Sequence, residues 1–429
     1  MGVLSPLQWF RSRQARARCR MALSRQTSLD SAVKEVSQEL GSAAADLALV
    51  FVSSHFASDL PRLLPQLQER LRAEHWLGCI AGGVVGTGRD GKAHELEQTP
   101  SLSVTLLNLP GALLQPFAVD TDNLPDLDGS NEHWQQWMEL DPRQLRSLLV
   151  LIDPTSSGIN DLISGLDYAF PMAPCLGGIA SPHAAPHGSL LQGQSVLKGA
   201  VGIAIGGDWT LEPAVAQGCK PIGPVFAIEQ AERNVVLELS HDQRRDTPVA
   251  CLQRVLASLD DDERELVKDS LFLGIERRSL LMGANRSPMP SSAFLVRNLI
   301  GVDPRNGAVA VAERIRVGQN VQFHLREADA SRQEARQLLC DARERCESTP
   351  LAALLFACLG RGTGLYGCED GDVDIARSVL GDLPMAGAFC NGEVGPLAGT
   401  THLHGYTASW GLLRHAPLAM SEAGPPPTA

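Results

Sequence analysis

Leu77–Gly88 reads LGCIAGGVVGTG, and Ala386–Pro396 reads AGAFCNGEVGP. The two stretches align without a gap, and the alignment places Gly83 on Gly392. A third stretch, Pro171–Pro182 (PMAPCLGGIASP), fits the same pattern when one residue is deleted. Because glycine permits tight turns and close backbone approaches, we interpret the three stretches as Gly-rich turns of one internal repeat.

The sequence around each turn repeats as well. Short apolar runs, which are typical of buried strands, lie about one helix before each turn: Leu47–Val52, Leu148–Ile152 and Ala352–Ala357. Similar runs follow the turns: Leu102–Leu107, Ala200–Ile205 and Thr407–Leu413. The pattern predicts an α/β fold in which repeated βαββ units form mixed β-sheets flanked by helices, arranged as two similar modules. We expect Gly83, Gly178 and Gly392 to occupy equivalent turns.

Changes in composition along the chain suggest the domain limits. We predict a flexible basic tail at 1–29, a first module at 30–240, a second module at 241–416 and a disordered tail at 417–429. The boundary between the modules is placed at Leu239–Asp246, a polar segment that we expect to contain no strand.

The first 29 residues contain six Arg and no acidic residue. That composition is typical of an organelle transit peptide. Two other interpretations stay open: a solvated basic arm, or translation that begins at Met21. The sequence therefore predicts a cytoplasmic protein, with organelle targeting as the alternative.

Charge and cysteine usage exclude several classes of function. The net charge of −12 and an aromatic content of 5% disfavour nucleic acid as a partner. No apolar run approaches the ~18 residues of a membrane-spanning helix. The ten Cys include no CxxC pair, so we expect buried thiols in a reducing compartment and no metal site. No helix follows the GxGxxG match at 86–91, so no cofactor is predicted.

Polar residues in the third copy suggest a ligand site. Asn391 and Glu393 occupy positions in an otherwise apolar pattern, and Arg361 lies between two glycines after a predicted strand. We expect these three side chains to converge on one cavity, with Arg297 and His404 nearby. Arginine suits a carboxylate and glutamate suits an ammonium group, so the set suits a zwitterion. The alternative is an internal Arg361–Glu393 ion pair that only fixes the turn.

Two thiols are candidates for reactivity. Cys358 ends a predicted strand and Cys390 lies in an apolar strand of the third Gly-rich stretch, and a Cys nucleophile with His404 and Glu393 is conceivable. A buried, inert thiol is the alternative at both positions. His402 and His404 lie on one side of a predicted strand, but two histidines without a third ligand make a poor metal site.

Several motifs together resemble the paired N- and C-terminal modules of the FIST family: FVSSHF, LGCIAGGVVG, FLVRNLIGVD, FACLGRG, AFCNGEVGP and LHGYTASWGLL. The resemblance covers about residues 45 to 414. It implies a sensory module that binds a small ligand, such as an amino acid, and that acts through a separate signalling partner. Two other functions stay open: a protein-interaction adapter and a Cys-dependent enzyme.

Overall fold

The structure is a computed structural model that describes residues 16–278, 292–345 and 348–417. Its first repeat unit alternates strands with two helices and ends on an antiparallel hairpin and a return strand. The elements are β1 (Arg18–Ser24), α1 (Leu29–Leu40), β2 (Ala45–Ser53), a 3-10 turn (Ser54–Asp59), α2 (Leu60–Gln68), β3 (Ala73–Ala81), β4 (Gly83–Thr87), β5 (Ala93–Glu97) and β6 (Leu102–Asn108).

The second unit repeats this order without a break. Its elements are β7 (Ala112–Val119), α3 (Asn131–Met138), β8 (Leu145–Ile152), α4 (Ile159–Ala169), β9 (Cys175–Ile179), β10 (Leu190–Gln192), β11 (Ser195–Leu197) and β12 (Ala200–Gly207). The first strand of the third unit, β13 (Trp209–Ala216), follows at once.

An antiparallel barrel is inserted after β13. Its elements are β14 (Cys219–Glu232), β15 (Val235–His241), β16 (Arg244–Asp246), α5 (Pro248–Ala257), α6 (Asp261–Ser270), β17 (Leu271–Arg278), β18 (Ser292–Val302), β19 (Val309–Val311) and β20 (Asn320–Arg326). Because β14 pairs with both β20 and β15, the sheet closes on itself.

The third unit resumes after the barrel and keeps the order of the first two. Its remaining elements are α7 (Ala328–Glu344), β21 (Ala352–Cys358), α8 (Thr363–Tyr366), α9 (Gly371–Leu380), β22 (Met385–Cys390), β23 (Glu393–Leu397), β24 (Thr400–His404) and β25 (Ala408–His415). The predicted α/β fold of repeated units with mixed sheets and flanking helices is confirmed.

Each unit gives its hairpin to the sheet of another unit. Strand β4 pairs with β22, β23 pairs with β9, and β10 pairs with β3. The described residues therefore form three six-stranded sheets that are linked in a cycle. The inner faces of all three sheets share one apolar core, which we call the axial core, and helices cover the outer faces.

One glycine in each unit makes this close packing possible. Gly78, Gly177 and Gly387 lie opposite the middle of the neighbouring parallel strand. A Cβ at these positions would lie 2.0, 1.7 and 1.8 Å from a carbonyl oxygen of that strand. The register of the exchanged hairpins also makes Gly83 equivalent to Gly392. The prediction for Gly178 is wrong, because Gly178 lies inside β9, next to Gly177, the equivalent of Gly78. The second copy turns only after a longer loop, and the register of β10 with β3 makes Ser189 the equivalent of Gly83.

Two predictions about the chain's boundaries need correction. The predicted flexible tail contains β1, which pairs with β6 along its whole length. Alternate residues of β1, including Cys19 and Met21, pack against the axial core, while Arg20 donates to the carbonyl oxygens of Leu40 and Ala43. Residues 1–15 and 418–429 lie outside the described residues.

The segment Leu239–Asp246, predicted to contain no strand, holds the end of β15 and all of β16. These short polar strands pair with each other at the edge of the barrel, where exposed polar side chains need no apolar partner. Among the helices of the described residues, none is both long enough and apolar enough to cross a membrane.

Candidate functional site

The third unit differs from the other two at one pair of positions in its exchanged hairpin. Glu393 on β23 lies directly opposite His404 on β24. The corresponding pairs in the other hairpins are apolar: Val84 with Leu96, and Leu190 with Leu197. Directly opposed residues of antiparallel strands project to the same face, and the apolar equivalents pack on the axial core. A carboxyl group and an imidazole have thus replaced core hydrophobes.

Glu393 is fully buried and only partly hydrogen-bonded. Its side chain has an exposed fraction of 0%. The backbone N–H of Thr407 donates to Oε2 at 3.1 Å, whereas Oε1 has no hydrogen-bond partner within the part of the chain that the structure describes. Burial raises the pKa of Glu393 well above its usual value, because a carboxylate loses its hydration there. Burial therefore favours the protonated carboxyl group, and a cation beside it would favour the ionised form.

His404 is buried beside this carboxyl group. Its Nε2 lies 3.0 Å from the carbonyl oxygen of Gly395, which accepts a hydrogen bond when Nε2 carries the proton. Its Nδ1 has no partner among the described residues. Burial lowers the pKa of His404 to about 4, so the imidazole is neutral at neutral pH. The hairpin thus presents two incompletely bonded polar groups to the same face.

Cys358 lies next to Glu393, at the carboxyl end of β21, where its side chain is half-buried. Its backbone N–H donates to the carbonyl oxygen of Thr407 at 3.0 Å. Burial and the charge of Glu393 raise the pKa of the thiol, while the N–H groups of Gly360 and Tyr406 and the charge of Arg326 lower it. The sulfur therefore lies among groups of both signs.

Arg326, at the end of β20, is a site residue that the sequence analysis missed. Its Nη2 donates to the carbonyl oxygen of Gly360, and its Cζ lies 4.6 Å from the centre of the Tyr406 ring. Its Nε has no hydrogen-bond partner in the described residues. None of the ion pairs found in 16–278, 292–345 and 348–417 involves Arg326. The guanidinium is half-buried, and burial lowers its pKa.

These residues form one cluster, which we call the junction site: Arg326, Cys358, Glu393, His404 and Tyr406. It lies where the barrel meets the carboxyl ends of β21 and β22. The charges of Arg361 and Arg326 lower the pKa of Glu393, and the charge of Glu393 raises the pKa of Cys358. The site can donate from a guanidinium and accept at a carboxyl oxygen, which is the chemistry that recognises a zwitterion.

Arg361, predicted to hold a ligand, is occupied by protein groups. Its Nε and Nη2 donate to Asp372 at 2.8 and 2.6 Å, and both residues have an exposed fraction of 0%. Nη2 also lies within hydrogen-bonding distance of Tyr366 and Ser331, and Nη1 donates to the carbonyl oxygen of Tyr406. The pairing predicted as an alternative, with Glu393, is replaced by one with Asp372, because α9 brings that carboxylate directly against the guanidinium.

Two of the other predicted residues lie near the junction site, since the charge of Arg297 lowers the pKa of His404 and the charge of Glu393 raises the pKa of Cys390. Asn391 is exposed in the turn between β22 and β23. Arg297 on β18 pairs with Glu313 at 2.9 Å, so its expected carboxylate partner is present. Cys390 is buried, and its Sγ lies 3.5 Å from the carbonyl oxygen of Ala388. Burial raises the pKa of this thiol well above its usual value.

Possible metal sites and surface hollows were considered as alternatives to the junction site. The described residues contain no group of three or more His, Cys, Asp or Glu that could hold a metal ion. Two surface hollows have volumes of about 390 and 400 Å³. Among the charged groups lining the first, Arg89 pairs with Glu35 and His94 contacts Asp90. The second lies on the barrel, against α5.

Comparison with known proteins identifies relatives along nearly the whole chain. The chain is 31% identical over 377 residues to the uncharacterized protein Rv0628c of Mycobacterium tuberculosis, covering 87% of this chain and 93% of the relative. It is 30% identical over 399 residues to the uncharacterized protein Mb0898c of Mycobacterium bovis, covering 92% and 97%.

Family comparison divides the chain in two. Residues 46–242 match the FIST N domain, and residues 248–396 match the FIST C domain. The segment between the two matches, 243–247, contains β16. The division therefore falls inside the barrel. With these two matches and relatives of this coverage, the chain belongs to the FIST family.

Proposed function

We propose that this protein is a sensory module that binds a small zwitterionic ligand, such as an amino acid, at the junction site and acts through a separate signalling partner. FIST domains are generally regarded as small-ligand sensory domains in signalling proteins. One observation carries the proposal. Arg326 and Glu393 lie in the same cluster with open hydrogen-bonding atoms, and neither forms an ion pair in the described residues.

The chemistry of the two ends of a zwitterion matches these groups. The guanidinium of Arg326 offers charge-assisted donors to a carboxylate, and the Tyr406 ring fixes its plane. The free Oε1 of Glu393 accepts from an ammonium, while Thr407 holds the other oxygen. An ammonium next to Glu393 favours its ionised form and so offsets the penalty of burying the carboxylate.

The proposal is tested by isothermal calorimetry with the proteinogenic amino acids, on the intact protein and on two variants. Arg326→Met and Glu393→Gln each remove one charge, and we expect either change to weaken binding about 10-fold or more, as expected for a lost hydrogen bond to a charged group. Arg332→Met is the matched control, because Arg332 also stacks on a tyrosine, with its Cζ 4.9 Å from the Tyr366 ring.

Melting curves of all three variants are recorded first, so that loss of fold is separated from loss of binding. Binding that is unchanged in Arg326→Met and in Glu393→Gln would contradict the proposed site. The absence of binding or stabilisation by any amino acid would contradict the proposed ligand class.

A further inference from the structure

Cys358 differs in exposure from two buried thiols near the axial core. Cys79 and Cys390 are buried there, with exposed fractions of 0% and 1%, and burial raises the pKa of Cys79 to about 12. Cys358 is half-buried and lies within the junction site. Cys368, by contrast, is exposed and is not part of the junction site. Cys19, Cys219 and Cys340 are half-buried like Cys358, so a reagent in solution meets these thiols as well as Cys368, whereas Cys79 and Cys390 are covered.

A proton acceptor and two groups of donors surround the Cys358 sulfur. Thr407 joins Cys358 to Glu393, because its carbonyl oxygen accepts from the backbone N–H of Cys358 at 3.0 Å and its own N–H donates to Oε2 of Glu393 at 3.1 Å. Oε1 of Glu393 is free among the described residues. The N–H groups of Gly360 and Tyr406 favour a negative charge on the sulfur, and so does Arg326. An acceptor for the proton and donors for the resulting thiolate are what a nucleophilic thiol requires.

We propose that Cys358 is a covalent modification site for small electrophiles that carry a carboxylate, with Arg326 binding the carboxylate and Glu393 accepting the thiol proton. The inference deepens the proposed function and rests on the same junction site. In the reaction, the sulfur forms a bond to an electrophilic carbon and the leaving group departs with its electron pair. Glu393 first loses its own proton to solvent and then accepts the thiol proton as the carbon–sulfur bond forms, so no oxidant or reductant is needed.

The pH dependence of this reaction follows from the groups around the sulfur. Burial holds Cys358 and Glu393 in their protonated forms at rest, since the pKa of each is raised. The two exchange one proton, so they titrate as a pair. The facing cations, Arg326 and Arg361, stay charged, and buried His404 stays neutral. Modification is therefore expected to become faster as pH rises.

The test compares two alkylating probes that differ in charge. Iodoacetate carries the carboxylate and iodoacetamide does not, and both transfer a carbon to sulfur with loss of iodide. Peptide mass mapping gives the rate for each probe at Cys358 and at Cys368 in the same molecule. We expect the ratio of the iodoacetate rate to the iodoacetamide rate to be about 10-fold higher at Cys358 than at Cys368, as for one ion pair of roughly 1.4 kcal/mol.

Variants assign the roles. Arg326→Met should lower the ratio at Cys358 to that at Cys368, while the control Arg332→Met should keep it. Glu393→Gln should slow both probes at Cys358 and leave their ratio unchanged. An unmodified Cys358, an equal ratio at the two thiols, or a ratio that survives Arg326→Met would overturn the proposal. Amino-acid binding that persists alongside such a result would leave the proposed function standing, so the two failures are distinguishable.

Discussion

The exchanged hairpins of the second and third units have the same backbone pairing and opposite chemistry. Leu190 and Leu197 face the axial core from one, and Glu393 and His404 face it from the other. Each hairpin leaves its own sheet and pairs with a strand of another unit. The apolar pair shows that packing alone satisfies this fold. The polar pair is therefore not required by the architecture, and its presence marks the third unit as the one adapted for a site.

All three units share a glycine at the parallel strand pair, and replacing it with alanine should lower stability by a similar amount in each unit. Gly78→Ala, Gly177→Ala and Gly387→Ala each place a methyl group within 2.0 Å of a backbone carbonyl oxygen. Because backbone on the neighbouring strand cannot move aside without breaking the sheet, we expect each change to lower the free energy of unfolding by about 4 kcal/mol or more. Urea unfolding measures the loss.

Gly364→Ala is the control for this series, since a Cβ at Gly364 meets nothing within 4 Å. It should change stability by less than about 1 kcal/mol. If one of the three glycines tolerates alanine as well as Gly364 does, the three units are not equivalent at their parallel strand pair, and the comparison of their hairpins loses its basis.

The buried ion pair is specific to the third unit, and breaking it should have the next largest effect. Arg361→Met leaves Asp372 buried without its cation, and we expect a loss of about 3–5 kcal/mol in the free energy of unfolding. The double variant Arg361→Met/Asp372→Leu should recover much of that loss, because no unpaired charge remains. A double variant as unstable as the single one would show that the pair's hydrogen bonds to Tyr366 and Ser331 matter more than its charges.

Local patterns in the sequence predict much of this fold, but they do not encode its long-range pairing. The Gly-rich turns identify the repeat, because close backbone approach leaves a glycine in every copy. The exchange of hairpins cannot be predicted from local sequence, because β4 would need the same apolar residues whether it paired with β22 or with a strand of its own unit. The strand β1 could have been found from the alternation of Cys19, Met21 and Leu23, which the excess of arginine obscured.

The residues of the candidate site, too, could be predicted only in part, because local sequence does not encode which residues meet in the fold. Glu393 was identified because a charge interrupts an apolar repeat position. Arg326 was missed, because an arginine at the end of a predicted strand next to a polar helix reads as solvent-exposed. The Arg361–Asp372 pair depends on how α9 packs against the preceding turn, which spacing along the chain does not determine. Sequence therefore predicts which positions are unusual, and tertiary packing decides which of them meet.

The loss of stability at acidic pH, which we call the acid limb, should depend on His404. Its pKa is about 4 in the folded protein and 6.5 in the unfolded chain, so the unfolded chain binds a proton that the folded protein does not. Stability contributed by the neutral imidazole is therefore lost as pH falls from about 6.5 to about 4. At about 1.4 kcal/mol for each pKa unit, this loss is roughly 3 kcal/mol.

His404→Leu should remove this part of the acid limb, as measured by urea unfolding at several pH values. His133→Leu, at an exposed position on α3, is the control and should leave the shape of the curve unchanged. An unaltered acid limb in His404→Leu would mean that the imidazole is hydrated in the folded protein, and the contrast with the apolar hairpins would weaken.

The smallest expected change in stability comes from giving the third hairpin the residues of the second. Glu393→Leu/His404→Leu removes two polar groups with unpaired atoms, Oε1 and Nδ1, from the axial core, which favours the folded state. It also leaves the Thr407 N–H without its acceptor and the Gly395 carbonyl oxygen without its donor, each of which costs about 1 kcal/mol. The two effects oppose each other, so we expect the free energy of unfolding at neutral pH to change by less than about 2 kcal/mol. Ligand binding needs both Arg326 and Glu393, whereas the charge preference of Cys358 alkylation needs only Arg326, so calorimetry should show binding lost while the iodoacetate preference is retained. A large loss of stability would instead make the polar pair part of the fold and remove the reason for treating the third unit as the adapted one.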